Sequence, residues 1–332
     1  MSKYFPKKWL LFVVKAAVTV VLIWLVLRKV DMSDMKRHFD SIGFDTIGLA
    51  LILLAAQSVL AGIRWRIIMR LFDRVLALAI SVRIYFEGLF FNQALPSTIG
   101  GDGIRIYRVY RLGLPLGAAF NGVLLDRVAG FISLILLVAV AQPLLRQRID
   151  NEQALLAFMG ITLLGLSAII ALLTLASLPD SFGRWRAVRG MMNLSLGGRE
   201  MLKSIQIATP VLGYSLVGHM LMVFAVYLIA MDIGLKVSFV DCLIMVPSVM
   251  LVATIPISIA GWGVRESAMV TAFGLLGAPT DAVVALSMAF GLCLVAVGLP
   301  GGILWFLNPD HRVADASEIA ELRESKAKKG QV

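Results

Sequence analysis

Two segments of the sequence place proline, glycine and arginine at the same spacing, a combination suited to holding an anion. Residues 95–105 align without gaps on residues 255–265, and five of the eleven aligned pairs are identical: a proline, an isoleucine, two glycines and an arginine. The helical pattern resumes after Gly103 and Gly263, so each segment offers a helix N-terminus with unpaired N–H groups and an arginine in the first turn. Helix N-termini and arginines favour anions, and the pattern predicts a phosphate site.

The composition shows that these segments belong to an integral membrane protein. Hydrophobic residues make up 59% of the 332 residues and charged residues only 16%, against about 45–50% apolar residues in soluble proteins. The net charge of +10 is expected beside the membrane surface, because no basic domain or aromatic platform for nucleic acid is visible. The two cysteines lie in apolar runs and cannot form a zinc site. Disordered, collagen-like and disulfide-stapled classes are excluded.

Long apolar runs define the elements that must position the two segments. Six of them approach or exceed the roughly 20 residues that cross a bilayer. They are Trp9–Leu27, Thr46–Ile63, Leu116–Ala141, Ala154–Leu178, Ile207–Met231 and Ala282–Leu307. Two further regions, 75–112 and 239–280, are interrupted by proline and glycine and predict helical hairpins that are re-entrant or fully spanning. We therefore predict an all-α polytopic membrane protein, an inverted repeat with about six full crossings plus two broken hairpins.

The repeat and the charges predict the domain organisation and the topology. The 160-residue offset suits the two halves of a transporter, about 46–178 and 207–307, although a chance match is the alternative. Eight arginines lie between residues 64 and 111 but only one between 239 and 281, so the positive-inside rule puts the ends of the first hairpin in the cytoplasm and those of the second outside. The transmembrane domain then covers 1–307, with both termini and a short charged, partly helical tail, 308–332, in the cytoplasm.

Several other polar residues in apolar surroundings are candidates for the same cavity, since ionisable groups inside a membrane are usually functional. They are Arg83, Glu87, Asn92, Gln93, Asn121, Asp126, Arg127, Glu266. Each has a structural alternative: Asp126 can pair with a nearby arginine, and Arg83 with Glu87 four residues on. Asp102 can cap the helix that follows, hold an ammonium group or carry a proton. His219 is expected to be a hydrogen-bonded core residue.

Motifs of enzymes are missing from the sequence. It contains no metalloprotease, nucleophile-elbow or P-loop motif, and three histidines cannot build a conventional zinc centre. No cofactor is therefore expected, and any transport would run downhill, use the membrane potential or couple to an ion.

Four stretches resemble a known family. Residues 91–96, 100–105 and 125–130, together with 256–266, are similar to signatures of the transmembrane, flippase-like region of bacterial lysylphosphatidylglycerol synthases. The resemblance extends from about residue 9 to 307. It implies a pseudo-symmetric helical protein of the bacterial inner membrane with a lipid-handling cavity. Two-part members of that family carry a soluble aminoacyl-transferring domain, whereas 25 residues follow Leu307 here, so lysylation is not expected.

The residues and the resemblance together predict a lipid flippase or lipid transporter for a phosphate-bearing lipid. The candidate substrate-binding residues are Asn92, Pro96, Gly100, Gly101, Asp102, Arg105, Asp126, Arg127, Gly261, Gly263, Arg265 and Glu266. Two alternatives stay open: an intramembrane lipid-modifying transferase with Asp102 or Asp126 as base, and a non-transporting lipid-binding subunit of a synthase or glycosyltransferase. The expected partners are a lipid with an anionic headgroup and the bilayer, with a second copy of the chain or a lipid-synthesising enzyme as further candidates.

Overall fold

The computed structural model describes residues 5–28, 30–72, 75–95, 100–177, 179, 185–255 and 258–307. Within these ranges the protein is made of twelve α-helices and contains no strand. They are α1 (Phe5–Leu27), α2 (Met32–Asp40), α3 (Phe44–Met69), α4 (Leu78–Ala94), α5 (Gly100–Arg111), α6 (Leu116–Leu145), α7 (Glu152–Thr174), α8 (Arg186–Lys203), α9 (Ile205–Asp232), α10 (Phe239–Ala253), α11 (Val264–Gly274) and α12 (Thr280–Phe306). The predicted Pro96 and the tail 308–332 lie outside the described residues.

The prediction of an all-α polytopic membrane protein is confirmed. Among the described residues, five helices are long and apolar enough to cross a membrane: α3, α6, α7, α9 and α12. They correspond to five of the six predicted crossings. The sixth lies within α1, where Lys15–Leu27 counts only as a shorter apolar helix, so the first crossing stays a prediction.

Both predicted hairpins are present, as α4 with α5 and α10 with α11. The second hairpin resumes its helix at Val264, directly after Gly263, as the sequence predicted. The first resumes at Gly100, so Gly101 and Gly103 lie inside its helix and not before it. Arg265 therefore lies in the first turn of its helix, whereas the prediction of the same place for Arg105 was wrong, since Arg105 lies in the second turn of α5.

Helices α3 to α6 correspond to helices α9 to α12. Each helix of the second set begins within four residues of the position 160 after its counterpart. The neighbours correspond as well: α4 packs on α12 as α10 packs on α6, and α5 packs on α6 as α11 packs on α12, while α3 and α9 pack on each other. Such an exchange of equivalent contacts is expected for two repeats related by a pseudo-two-fold axis. The side of the bilayer from which each hairpin enters stays a prediction.

Glycines allow α4 to lie very close to two neighbours. A Cβ atom added at Gly101 on α5 would overlap the carbonyl oxygen of Gly88 on α4, and one added at Gly301 on α12 would overlap that of Phe86. Small residues at such positions let helix backbones approach closely in membranes. The first hairpin is thereby fixed against the last helix of the second repeat.

The N-terminal helices hold the second repeat. The backbone N–H of Ile259, in the loop between α10 and α11, donates to Oγ1 of Thr19 on α1 at 2.9 Å. Nε2 of His38 on α2 lies 3.0 Å from Oδ2 of Asp281 at the start of α12. Helix α2 begins after Asp31, and hydrogen bonds from the Ser33 hydroxyl and N–H lower the pKa of the Asp31 carboxyl.

The basic stretch between the predicted spans Ala154–Leu178 and Ile207–Met231 contains a helix, α8. Leu194 and Met201, two helical turns apart on α8, are buried in a cluster with residues of α3 and α6. The Ser195 hydroxyl donates to the carbonyl oxygen of Leu173 near the end of α7, and Nε of Arg199 donates to the same oxygen. The many polar residues of this stretch obscured its apolar stripe at helical spacing. The two hydrogen bonds to Leu173 show that α8 caps the C-terminal end of α7.

Candidate functional site

A cavity of about 380 Å³, lined by charged as well as apolar residues, lies between the two hairpins. Its wall includes Asp102 and Arg105 of the first hairpin and Gly261 and Arg265 of the second, with residues of α3, α6 and α9 between them. The cavity is within the size range of small-ligand sites. The two broken segments, 160 residues apart in the sequence, therefore contribute to one site.

Five side chains on three helices form a charge ladder along one wall: Arg64, Asp126, Arg105, Asp102 and Arg127. Asp126 of α6 accepts from Nε of Arg64 on α3 and from Nη2 of Arg105 on α5, both at 2.7 Å. Nη1 of Arg105 donates to Asp102 at 3.4 Å, and the other oxygen of Asp102 accepts from Nε of Arg127. The ladder alternates in sign and ends on an arginine at both ends.

Aromatic rings hold the central arginine of the ladder. The guanidinium of Arg105 lies 4.4 Å from the ring centre of Trp65 and 4.8 Å from that of Tyr85. The residue is only 4% exposed, and its Nε has no hydrogen-bond partner among the described residues. Cation–π contacts stabilise a guanidinium that has left water, so Arg105 is kept charged and fixed at the cavity wall.

The equivalent arginine of the second hairpin has a self-contained set of partners. Nη2 of Arg265 donates to Oε1 of Glu266 at 2.6 Å, and its guanidinium lies 4.7 Å from the ring centre of Trp262. A Cβ atom added at Gly291 on α12 would overlap Nη2 of Arg265. The glycine therefore provides the space that the buried guanidinium occupies.

The two hairpins differ in charge balance. The ladder contains three guanidinium groups and two carboxylates, which leaves one positive charge in excess. Arg265 and Glu266 neutralise each other. The positive potential of the cavity is therefore concentrated on the side of the first hairpin.

The expectation of unpaired helix N-termini is wrong for the N–H groups of the two glycines at the hairpin breaks. The Gly101 N–H donates to Oδ1 of Asn92 at 2.9 Å, and the Gly263 N–H donates to Oε2 of Glu266 at 2.6 Å. Gly261 and Gly263 adopt φ values of 79° and 83°, in the left-handed region that favours glycine. The glycines serve the turn and the helix contacts, and the arginines supply the positive charge of the cavity.

The structure brings most of the predicted site residues to the cavity. Those that line it are Asn92, Asp102, Arg105, Asp126, Arg127, Gly261 and Arg265. The remaining described ones do not line it: Gly100, Gly101, Gly263 and Glu266. Their roles are packing, turn formation and capping, as described above.

Most of the ionisable candidates have the structural partners that were weighed as alternatives to a role in ligand binding. Asp126 pairs with arginines, and Glu87 accepts from Arg83 at 3.2 Å and from Arg108 at 2.6 Å. Asp102 lies inside α5 and bonds to arginines, so of its alternatives the capping of that helix is not what the structure shows. His219 bonds to a backbone oxygen, as predicted, but it also lines the cavity.

Several cavity residues were not expected as site residues. They are Gln57, Arg64, Tyr85, Tyr214, Ser215 and His219. Arg64 directly follows the predicted span Thr46–Ile63, and the sequence therefore indicated a charged residue at the membrane surface. Because α3 continues to Met69, Arg64 lies more than one turn inside the helix and points to a buried carboxylate. A helical pattern continuing past residue 63 was the signal that could have identified it.

The comparison with protein families agrees with this architecture. A family model of the lysylphosphatidylglycerol synthase transmembrane region matches residues 12–302. The chain belongs to this family. The match spans both hairpins and every residue that lines the cavity, and membership in the lysylphosphatidylglycerol synthase transmembrane family indicates a function related to membrane lipids. A search of curated proteins finds no match to the chain.

Proposed function

We propose that the protein is a flippase or transporter that moves a phosphate-bearing lipid between the leaflets of the bacterial inner membrane. The observation that carries the proposal is the cavity between the two hairpins, whose charge ladder has one positive charge in excess. An ordinary lipid phosphodiester carries one negative charge and would neutralise that excess. Family membership supports a lipid as the ligand.

Arg127 is the first contact of the lipid phosphate in this proposal. Its side chain is 30% exposed, whereas those of Arg64 and Arg105 are at most 10% exposed. A guanidinium can donate two parallel hydrogen bonds to a phosphate. The phosphate therefore meets Arg127 at the more exposed end of the ladder, and Arg105 and Arg265 bound the space that the headgroup enters.

Movement of the headgroup follows from the repeated architecture. In transporters built from inverted repeats, one half rocks against the other around a central site. The cavity is lined by both repeats, and a charged headgroup cannot cross hydrocarbon unless polar groups replace its water. The ladder supplies these groups at membrane depth, so the rocking of the halves exposes the headgroup to each leaflet in turn.

Reconstitution into vesicles tests the proposal. Vesicles containing the purified protein and a phospholipid with a fluorescent acyl chain are treated with a reductant that bleaches only the outer leaflet. We expect faster loss of the inner-leaflet signal than in protein-free vesicles. Arg127→Ala should slow it about tenfold, because one charge-assisted hydrogen bond contributes about 1.5 kcal/mol.

Arg111→Ala is the matched control, since Arg111 is exposed at the end of α5, and it should move lipid at the wild-type rate. Wild-type protein that moves lipid no faster than empty vesicles would refute the proposal. Equal effects of the two arginine variants would refute the role of the ladder. Mass analysis of the recovered lipids distinguishes transport, which leaves their masses unchanged, from lipid modification.

A further inference from the structure

The wall of the cavity formed by α9 is uncharged. Its residues adjoin the Arg64 end of the ladder and come from α9, with one residue of α3. They are Gln57, Tyr214, Ser215, Gly218, His219 and Met222. A headgroup whose phosphate is held by arginines would meet hydrogen-bonding groups without formal charge on this side.

His219 has one ring nitrogen engaged and one without a partner. Nε2 lies 3.2 Å from the carbonyl oxygen of Gly130 on α6. A carbonyl oxygen only accepts, so Nε2 carries the hydrogen, and Nδ1 of the neutral ring has a lone pair available. Nδ1 is buried and has no hydrogen-bond partner among the described residues. A buried acceptor without a partner costs free energy, which a ligand that donates a hydrogen bond would recover.

His219 lies next to one end of the ladder. Nη1 of Arg64 donates to Ser215 on α9 at 3.0 Å, and His219 follows Ser215 by four residues on the same helix. On α6, Gly130 likewise follows Asp126 by four residues. A Cβ atom added at Gly130 would lie 3.6 Å from Nη1 of Arg64, so the contact between His219 and Gly130 lies beside the first guanidinium of the ladder. A headgroup whose phosphate is held at the ladder would therefore bring a hydroxyl a few bonds away close to His219.

We infer that His219 selects lipids whose headgroup carries uncharged hydroxyl groups, such as a glycerol or a sugar, by accepting a hydrogen bond at Nδ1. The inference rests on the proposed function, because it starts from a lipid phosphate held at the ladder. An ammonium headgroup would enter a cavity that already has an excess of positive charge, and both carboxylates of the ladder are engaged by arginines. A hydroxyl donates a hydrogen bond without adding charge.

Competitive binding to the purified full chain in detergent tests the inference, with bound lipid counted by native mass spectrometry. The two probes are phosphatidylglycerol and phosphatidylpropanol with the same acyl chains, which share one negative charge but differ in the hydroxyl groups. We expect wild-type protein to prefer phosphatidylglycerol about fivefold, the contribution of one hydrogen bond. His219→Phe should abolish the preference without weakening phosphatidylpropanol binding, and His219→Gln, which keeps an acceptor, should retain it.

Equal binding of the two probes by wild-type protein would overturn the inference, as would an unchanged preference in His219→Phe. Arg127→Ala should weaken both probes alike, which distinguishes recognition of the phosphate from that of the hydroxyl. If vesicles show no lipid movement but the preference depends on His219, the transport proposal fails and the inference stands. If lipid moves but wild-type protein has no preference, only the inference fails.

Discussion

Substitution of one glycine in the first hairpin tests how the site is positioned. Gly101 and Gly103 both lie in the first two turns of α5. A Cβ atom at Gly101 would overlap the carbonyl oxygen of Gly88 and lie 2.6 Å from its carbon, whereas a Cβ atom at Gly103 would meet nothing within 4 Å. Gly101→Ala and Gly103→Ala therefore make the same chemical change in one helix, once against a backbone and once in open space.

The expected effects have opposite signs. Replacing a helical glycine by alanine gains about 0.5–1 kcal/mol where space allows, so Gly103→Ala should raise the free energy of unfolding by that amount. At Gly101 the neighbour is backbone and cannot rotate away. Overpacking costs about 1–3 kcal/mol, and moving α5 also breaks the Gly101–Asn92 hydrogen bond, worth about 1 kcal/mol. After subtracting the helical gain, Gly101→Ala should lower the free energy of unfolding by about 1–3 kcal/mol.

Unfolding of the purified variants in detergent, titrated with a denaturing detergent, measures this difference. The same displacement would move Arg105, one turn further along α5, away from Asp126. Gly101→Ala should therefore also slow lipid movement in vesicles, while Gly103→Ala should not. If the two variants were equally stable, the close packing of α4 on α5 would be wrong, and with it the account of how Arg105 is held.

Two further substitutions test the ladder and the second hairpin in the same unfolding assay. Asp126→Ala should lower the free energy of unfolding by about 3–5 kcal/mol, because it leaves the buried Arg64 and Arg105 without their shared carboxylate. Asp126→Asn should lower it by less. Wild-type stability in Asp126→Ala would contradict the pairing. Gly263→Ala should be more destabilising than Gly234→Ala. Both glycines have a φ of 83°, but only at Gly263 would the new Cβ atom lie 2.6 Å from Cβ of Leu22 on α1. Equal losses of stability in the two variants would show that α1 does not pack there.

The sequence was sufficient to predict the elements but not the partners of the charged side chains. Apolar runs, proline and glycine act locally, so the spans and both hairpins could be located from residue types alone. The ladder depends on α3, α5 and α6 meeting, and nothing in the spacing of Arg64 and Asp126, 62 residues apart, predicts their contact. His219 was recognised as hydrogen-bonded, but its place in the cavity wall follows only from the packing of α9.

The repeat also shows that equal residues need not have equal roles. Gly101 aligns with Gly261, yet Gly101 lies inside a helix against another backbone, whereas Gly261 has a left-handed φ in a loop. The difference arises where the two copies diverge, because Trp262 replaces Asp102 and Glu266 replaces Ile106. Glu266 bonds to the Gly263 N–H and fixes the helix start after the glycines. The first copy has an isoleucine there, and its helix begins earlier.

These two replacements also decide where the cavity is positive. With Ile106 in the first copy, Arg105 has no carboxylate beside it in sequence and reaches Asp102 and Asp126 instead, which each engage a further arginine. In the second copy Glu266 neutralises Arg265 directly, and position 262 provides a tryptophan ring in place of a carboxylate. Two equivalent arginines thus acquire different electrostatic surroundings from changes one and three residues away, and the excess charge lies on the first hairpin for that reason.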